Sequence, residues 1–263
     1  MVPDPRYLAT AIDAALDVGR IHRRHFRRDV PVRKKGPIDL VTPADLEAER
    51  AFRSRIGRTF PSHAVLGEEA GGATPAEGRW RWIIDPLDGT TNFAHGLALF
   101  TVSIALEVDG RLELAVVYDP VGEELFVAER GLGARLNGRT LRVSDRAVLV
   151  DSLVCTGFPY AVRDGRHRQV QVFEAFLGRS RAVRRLGSAA LDLCYVAAGR
   201  FDGFWEEELH AWDVAAGALL VEEAGGQVTG YDGGALDLFA RHIVATNGRI
   251  HGAMLDVIRG VPA

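Results

Sequence analysis

Two cysteines in 263 residues, no membrane-length apolar run and no secretory-type start leave this sequence few specialised readings. Cys155 and Cys194 stand far apart without a CxxC pair, which excludes a zinc ribbon or a disulfide framework, and both read as buried apolar residues. The longest apolar stretches are strand-sized and broken by charge, short of the roughly 20 residues a membrane-spanning helix needs. Met1-Val2-Pro3-Asp4 lacks a basic start followed by an apolar block, so a cytoplasmic enzyme is the expectation. Pro/Ser-rich linkers, fixed-period repeats and low-complexity segments are also missing. With 47% apolar residues, the chain has enough to core one large domain or two closely packed halves.

A large excess of either charge is missing too. The formal net charge of -3 gives no global attraction to nucleic acid. It is unevenly spread, because Arg20, Arg23, Arg24, Arg27, Arg28, Arg33, Lys34 and Lys35 form one basic stretch. Spacings of three and four residues fit the solvated face of an amphipathic helix; contact with RNA or DNA phosphates is the alternative.

Asp4-Pro5 reads as an N-cap and first helical residue, followed by Leu8, Ile12, Ala15, Leu16 and Gly19 at helical spacing. Thr42-Pro43-Ala44-Asp45 starts a second helix, with Asp45 at the capping-box position, running to about Gly57. Strands are expected at Trp80 to Ile84, Phe100 to Val108, Leu112 to Tyr118 and Glu124 to Ala128, with Asp109-Gly110 as a hairpin turn. From about Asp151 strands alternate with helices near 167 to 177, 188 to 198 and 212 to 224. The chain therefore divides into an antiparallel-rich half, 1–147, carrying most of the candidate ligands, and an α/β half, 148–263. Their junction near 145 to 150 is expected to be a packed seam.

Chemistry concentrates in Trp82-Ile83-Ile84-Asp85-Pro86-Leu87-Asp88-Gly89-Thr90-Thr91-Asn92-Phe93. An apolar strand ends in Asp85, and a turn through Pro86 can bring Asp88 to the same crevice. Two hard oxygen ligands there suit magnesium, and the Leu87 carbonyl between them is a further donor. Gly89, Thr90 and Thr91 can converge backbone N–H groups on a phosphate. The plainer alternative is an ordinary Asp88-Gly89 turn with Asp85 as a cap.

The longer string Asp85-Pro86-Leu87-Asp88-Gly89-Thr90-Thr91-Asn92-Phe93 resembles the signature of the inositol monophosphatase family. Gly67-Glu68-Glu69 upstream and Trp212-Asp213-Val214-Ala215-Ala216-Gly217 downstream match in the expected order. Smaller similarities, from Asp39-Leu40-Val41-Thr42 through Gly187-Ser188-Ala189, extend it over nearly the whole chain. The resemblance implies an α/β (α+β) fold, a layered α-β-α-β-α sandwich of the inositol monophosphatase and fructose-bisphosphatase type.

By the same resemblance, Glu68, Asp85 and the Leu87 carbonyl hold a first magnesium, Asp85, Asp88 and Asp213 a second, and Glu68 with waters a weaker third. Such a clamp, with ions about 3.5 to 4 Å apart, activates water and stabilises the leaving oxygen. Phosphate monoesters need it, since their enzymatic accelerations reach about 10²¹. Asp45 and Thr90, with Glu68, resemble the catalytic set around the nucleophilic water; Asp45 also reads as a capping residue, and both can hold. Glu69 reads as a supporting or solvated residue. Lys34 and Lys35 match a mobile loop of the family. Asp88, Gly187, Ser188, Ala189, Glu206 and Asp213 match the contacts to the substrate alcohol, with Gly89, Thr90 and Thr91 toward phosphate. Glu206 can equally be one charge in the acidic run Glu206-Glu207-Glu208. Many relatives carry glycine where this chain has Glu208, and an added carboxylate there could favour a cationic substrate. His95 and His210 lie near the motifs but are left out of the metal site.

The expected activity is Mg²⁺-dependent, lithium-sensitive hydrolysis of myo-inositol monophosphate. Histidinol phosphate, fructose 1,6-bisphosphate and nucleoside 3′,5′-bisphosphate are the alternative substrates. A protein that docks on nucleic acid or a transcription complex through the basic stretch is the reading from a different class. A homodimer is expected from the resemblance, with no membrane partner.

Overall fold

The computed structural model describes residues 4–28, 33–34, 40–70, 79–159 and 168–262. Helix α1 (Pro5–His25) starts as its sequence dictates, with the Asp4 carboxylate accepting the Arg6 N–H at 3.0 Å and Pro5 in the first turn. Strands β1 (Arg33–Lys34) and β2 (Leu40–Val41) pair antiparallel. Helix α2 (Pro43–Thr59) opens on the expected capping box: Thr42 N–H donates to Asp45 Oδ2 at 2.8 Å, and the Ala44 N–H donates to Thr42 Oγ1.

A seven-stranded sheet follows in chain order: β3 (Ala64–Gly67), β4 (Trp80–Asp88), β5 (Thr101–Val108), β6 (Arg111–Asp119), β7 (Glu124–Glu129), β8 (Gly133–Leu136) and β9 (Arg139–Thr140). Only β3 and β4 pair parallel. A short helix, α3 (Thr90–Ala94), leaves the end of β4. Asp109 and Gly110 both have positive φ, 51° and 79°, the conformation a two-residue hairpin of this twist requires.

The second half forms a mixed five-stranded sheet from β10 (Leu153–Thr156), β11 (Ala182–Arg184), β12 (Gly203–Glu207), β13 (Gln227–Thr229) and β14 (His242–Thr246), ordered β11-β10-β12-β14-β13. Helices α4 (Arg168–Leu177), α5 (Ala189–Ala197), α6 (Ala211–Glu223) and α7 (His251–Arg259) alternate with these strands.

Period-two alternation sorts the strands into layers. Trp82, Ile84, Ile104 and Val116 face α1 and α2, packing on Val18, Phe52 and Ile56. Ile83, Ala105, Val117 and Phe126 face the other way, onto α5 and α6, which also cover Cys155, Phe204 and Ala245 of the second sheet. Val154, Trp205 and Val244 point outward onto α4 and α7. The result is the five-layer α-β-α-β-α sandwich. Close approach in its middle layer depends on small residues: a Cβ at Gly217 would lie 2.5 Å from the Leu193 side chain.

Two expectations need correction. The strand expected to end at Ile84 continues to Asp88, with a register shift between Asp85 and Asp88, so Pro86 and Leu87 form a bulge inside the strand. The junction at 145–148 is exposed, and the halves meet instead through α5 and α6. The second helix ends at Thr59, two residues from the expected end.

Candidate active site

The bulge in β4 places two carboxylates on one strand end. Asp85 lies opposite Ser103 and Asp88 opposite Thr101, and they are 2% and 8% exposed. Asp85 Oδ1 accepts the Leu87 N–H at 2.9 Å, which fixes the bulge from inside. From outside, His22 of α1 bonds the Pro86 carbonyl at 2.8 Å. Burial lowers the His22 pKa to about 4, so the ring is neutral and Nε2–H is the donor.

Asp88 is held by the start of α5. Ser188 Oγ donates to it at 2.5 Å, the Ala190 N–H at 2.7 Å and the Ala189 N–H at 3.3 Å. The donors that the sequence assigned to a substrate alcohol are thus directed at a carboxylate of the β4 bulge. Asn92 fastens the same seam, its amide donating to the Leu99 and Leu186 carbonyls at 2.8 Å.

Gly89 turns the chain into α3 with φ 97°, and a Cβ there would lie 2.8 Å from the Leu99 carbonyl, so the position requires glycine. Thr90 Oγ1 stands 3.1 Å from Asp45 Oδ1 and 3.0 Å from the Leu87 carbonyl, one hydroxyl hydrogen between two acceptors. Thr91 is exposed beside it. Asp45 is fully buried at the start of α2 and also accepts Thr42 N–H and Oγ1–H. Burial raises its pKa to about 6, against the opposing pull of the Thr42 bonds.

Asp213 enters from the first turn of α6, where its Oδ2 accepts the His210 N–H at 2.6 Å. Glu68 follows β3 on a turn. Burial raises Asp85 well above the carboxylate range, and repulsion from Glu68, Asp88 and Asp213 adds to it. Asp213 is raised to about 8, by burial first and then by Asp88. Four carboxylates, two buried and two half-buried, therefore share one corner and raise one another's affinity for protons. Such a group needs protons or a cation.

Among the described residues, no three His, Cys, Asp or Glu side chains converge tightly enough to define an ion's position. The reason is visible in the bonding: Asp85, Asp88 and Asp213 each turn oxygen toward a neighbouring backbone N–H. The donor set is nevertheless all hard oxygen, the kind magnesium takes, with the Leu87 carbonyl in the same bulge.

Glu206 lies near the end of β12, and burial raises its pKa to about 8 while the nearby Arg185 opposes the shift. A Cβ at Gly157 would collide with its carboxylate. Glu208, two residues on, is exposed with φ 62°, a conformation glycine adopts freely. Gly187, also with positive φ, precedes Ser188 against Asn92 and Arg185. His95 is exposed after α3, and His210 stacks on Trp212 at 4.6 Å. Lys34 lies in β1, while Lys35 and Asp39 lie outside the described residues. In the basic stretch, Arg20 pairs with Asp17, Arg24 with Glu47 and Arg23 with Glu123, as befits a solvated helix face.

Sequence reasoning missed four buried polar residues around this corner: His22, Glu49, Asn92 and Asp192. Asn92 stands in the signature string itself, whereas His22, Glu49 and Asp192 carry no local signal beyond a polar residue at an otherwise apolar helix position.

The model of the inositol monophosphatase family matches residues 4–262, and the chain belongs to that family of phosphatases. An inositol-1-monophosphatase of Rhizobium meliloti is 45% identical, covering 97% of each chain. A protein of Pseudomonas aeruginosa called Nus factor SuhB is 46% identical over 96% of this chain and 95% of its own. Among solved structures, the extragenic suppressor protein suhB of Bartonella henselae superposes with a TM-score of 0.91 at 41% identity, covering 97% of this chain and 98% of that one. No helix among the described residues is long and apolar enough to cross a membrane.

Proposed function

We propose that this phosphatase hydrolyses the phosphate monoester of a small polyol, myo-inositol monophosphate foremost, with Mg²⁺ at Glu68, Asp85, the Leu87 carbonyl, Asp88 and Asp213. The observation that carries the reading is the mutually repelling group formed by buried Asp85 and Asp88 with half-buried Glu68 and Asp213. Two Mg²⁺ ions held there, with a weaker third near Glu68, would supply the charge that lowers the pKa of an attacking water and steadies a leaving oxygen.

This chain's own residues do the rest. Thr90 Oγ1, hydrogen-bonded to Asp45, offers a lone pair that orients the water, and the Asp45 carboxylate stands ready to take its proton through that hydroxyl. Ser188, Ala189 and Ala190 keep Asp88 aimed at the site. The N–H groups after Gly89 are the proposed donors to the substrate phosphate, and Glu206 and Asp213 the proposed acceptors for the polyol hydroxyls, with the Gly187–Ala189 turn lining the same pocket wall through its contacts to Asp88.

Side-by-side kcat/KM values for inositol monophosphate, histidinol phosphate, fructose 1,6-bisphosphate and a nucleoside 3′,5′-bisphosphate test this with Mg²⁺ present. The highest value is expected for inositol monophosphate, with inhibition by lithium against a potassium control. A clear preference for histidinol phosphate would move the assignment to that branch. A homodimer is part of the same proposal, and sedimentation checks it.

A second reading comes from the relative called Nus factor SuhB, which is as similar as the one called a phosphatase. It adds a binding role to the catalytic one. The ion pairs along α1 leave its basic face largely neutralised. Salt-dependent RNA binding without phosphatase activity would reverse the order of the two readings.

A further inference from the structure

We infer that Glu49 is the positioning residue for Glu68: its buried carboxylate holds the backbone N–H groups that follow that ligand and packs on Gly67 before it, and thereby sets the affinity of the site for its divalent cation. The inference rests on the function proposed above.

Glu49 lies one helical turn after Asp45 on α2 and is 2% exposed. Immediately after Glu68, the Glu69 N–H donates to Glu49 Oε2 at 2.7 Å, and the Ala70 N–H donates to Oε1 at 3.1 Å. Immediately before Glu68, Gly67 leaves the space the carboxylate occupies. A Cβ at Gly67 would lie 2.5 Å from Oε1 and 2.7 Å from the carboxyl carbon. Arg53 completes the clamp, its Nε on Glu49 Oε1 at 2.7 Å and its NH1 on the Val65 carbonyl at 3.2 Å.

Glu68 sits on a turn, so no strand ladder fixes its backbone; the Glu49 bonds do. Both Glu49 oxygens are turned to the Glu69 and Ala70 N–H groups and to Arg53, which makes it a support for the turn. A buried charge is costly where packing alone would serve, and an apolar residue would fill this face of α2 as well as Phe52 and Ile56 do further along. The bonds on Glu69 and Ala70 show what the charge is for: they hold a metal ligand in place before the cation arrives. Without them, binding has to order the turn as well, and loss of such supports weakens metal affinity by roughly 10- to 100-fold.

The test uses the full chain with Mg²⁺ alone as the probe, titrated calorimetrically without substrate, beside the Mg²⁺ dependence of turnover. For Glu49→Gln, the Mg²⁺ Kd is expected to weaken by about 10- to 100-fold, with turnover recovering as Mg²⁺ is raised. Gly67→Ala, which displaces the same carboxylate, is expected to shift the Kd in the same direction and decides the matter if Glu49→Gln does not fold. A folded variant with wild-type Mg²⁺ affinity would overturn the inference and leave Glu49 a purely structural residue. A wild-type chain that binds no Mg²⁺ would instead remove the proposed function, and the inference with it.

Discussion

Ser188, at the start of α5, donates its hydroxyl to Asp88, at the end of β4, over 2.5 Å across the boundary between the two halves. A helix N-terminus from one sheet's crossover thus aims a carboxylate belonging to the other sheet. Ser188→Ala removes both that bond and the side-chain cap on the Leu191 N–H. A lost hydrogen bond to a buried charged group costs about 1.5 to 3 kcal/mol. For a chain of this size the melting temperature should fall by roughly 3 to 10 °C. Thermal denaturation checks it; an unchanged midpoint would mean that the Ala189 and Ala190 N–H groups suffice.

Asp213 has two duties, accepting the His210 N–H as a helix cap and facing Asp85 and Asp88. Asp213→Ala should lower kcat/KM by at least about 100-fold, while loss of the cap costs about 0.5 to 2 kcal/mol. Steady-state kinetics and melting curves on the same preparation separate the two. A variant altered only in stability would reduce Asp213 to a cap.

Glu208 holds φ 62°, a left-handed conformation costing a side-chain-bearing residue about 1 to 2 kcal/mol relative to glycine. Glu208→Gly should therefore stabilise the fold by about 1 kcal/mol, read as a melting-temperature rise of roughly 2 to 4 °C. Inositol monophosphate hydrolysis should be unaffected. A large selective loss with histidinol phosphate would instead show that this carboxylate serves a cationic substrate.

What was legible in the sequence had local causes. The Asp4 and Thr42 caps, the Asp109-Gly110 hairpin and the alternating strands from Asp151 onward lie where short-range rules put them. The β4 bulge was not legible, because Pro86 reads as a turn and only the partners Ser103 and Thr101 show that the strand continues. Strand β3 and helix α7 were missed for similar reasons: one is four residues long, and the other begins at Ile250 without a side-chain cap. Within the site, the motif residues could be named from the string alone. Their supports could not, since Glu49, Asn92 and His22 act over long sequence separations on backbone groups.

Burial raises the Glu206 pKa to about 8 from an ordinary value of 4.5. In metal-free protein, the folded state then keeps a proton that the unfolded chain releases above pH 4.5. Its stabilising effect is complete below that pH and is lost as pH rises through about 8. Glu206→Gln cannot ionise. Urea denaturation of the chelated proteins between about pH 5 and about pH 9 should show wild type losing stability more steeply than the variant. Parallel profiles would mean that Glu206 ionises at no cost beside Arg185.

Hydrolysis through a cation held at the β4 bulge makes turnover depend on both the cation and Asp88. The direct measurement is phosphate release from myo-inositol monophosphate by the wild-type chain with Mg²⁺, after chelation and after Mg²⁺ is restored, beside Asp88→Asn verified to be folded. Turnover should vanish with the chelator, return with Mg²⁺ and be at least about 100-fold lower in Asp88→Asn. Turnover that survives chelation, or near-wild-type turnover in folded Asp88→Asn, would contradict it.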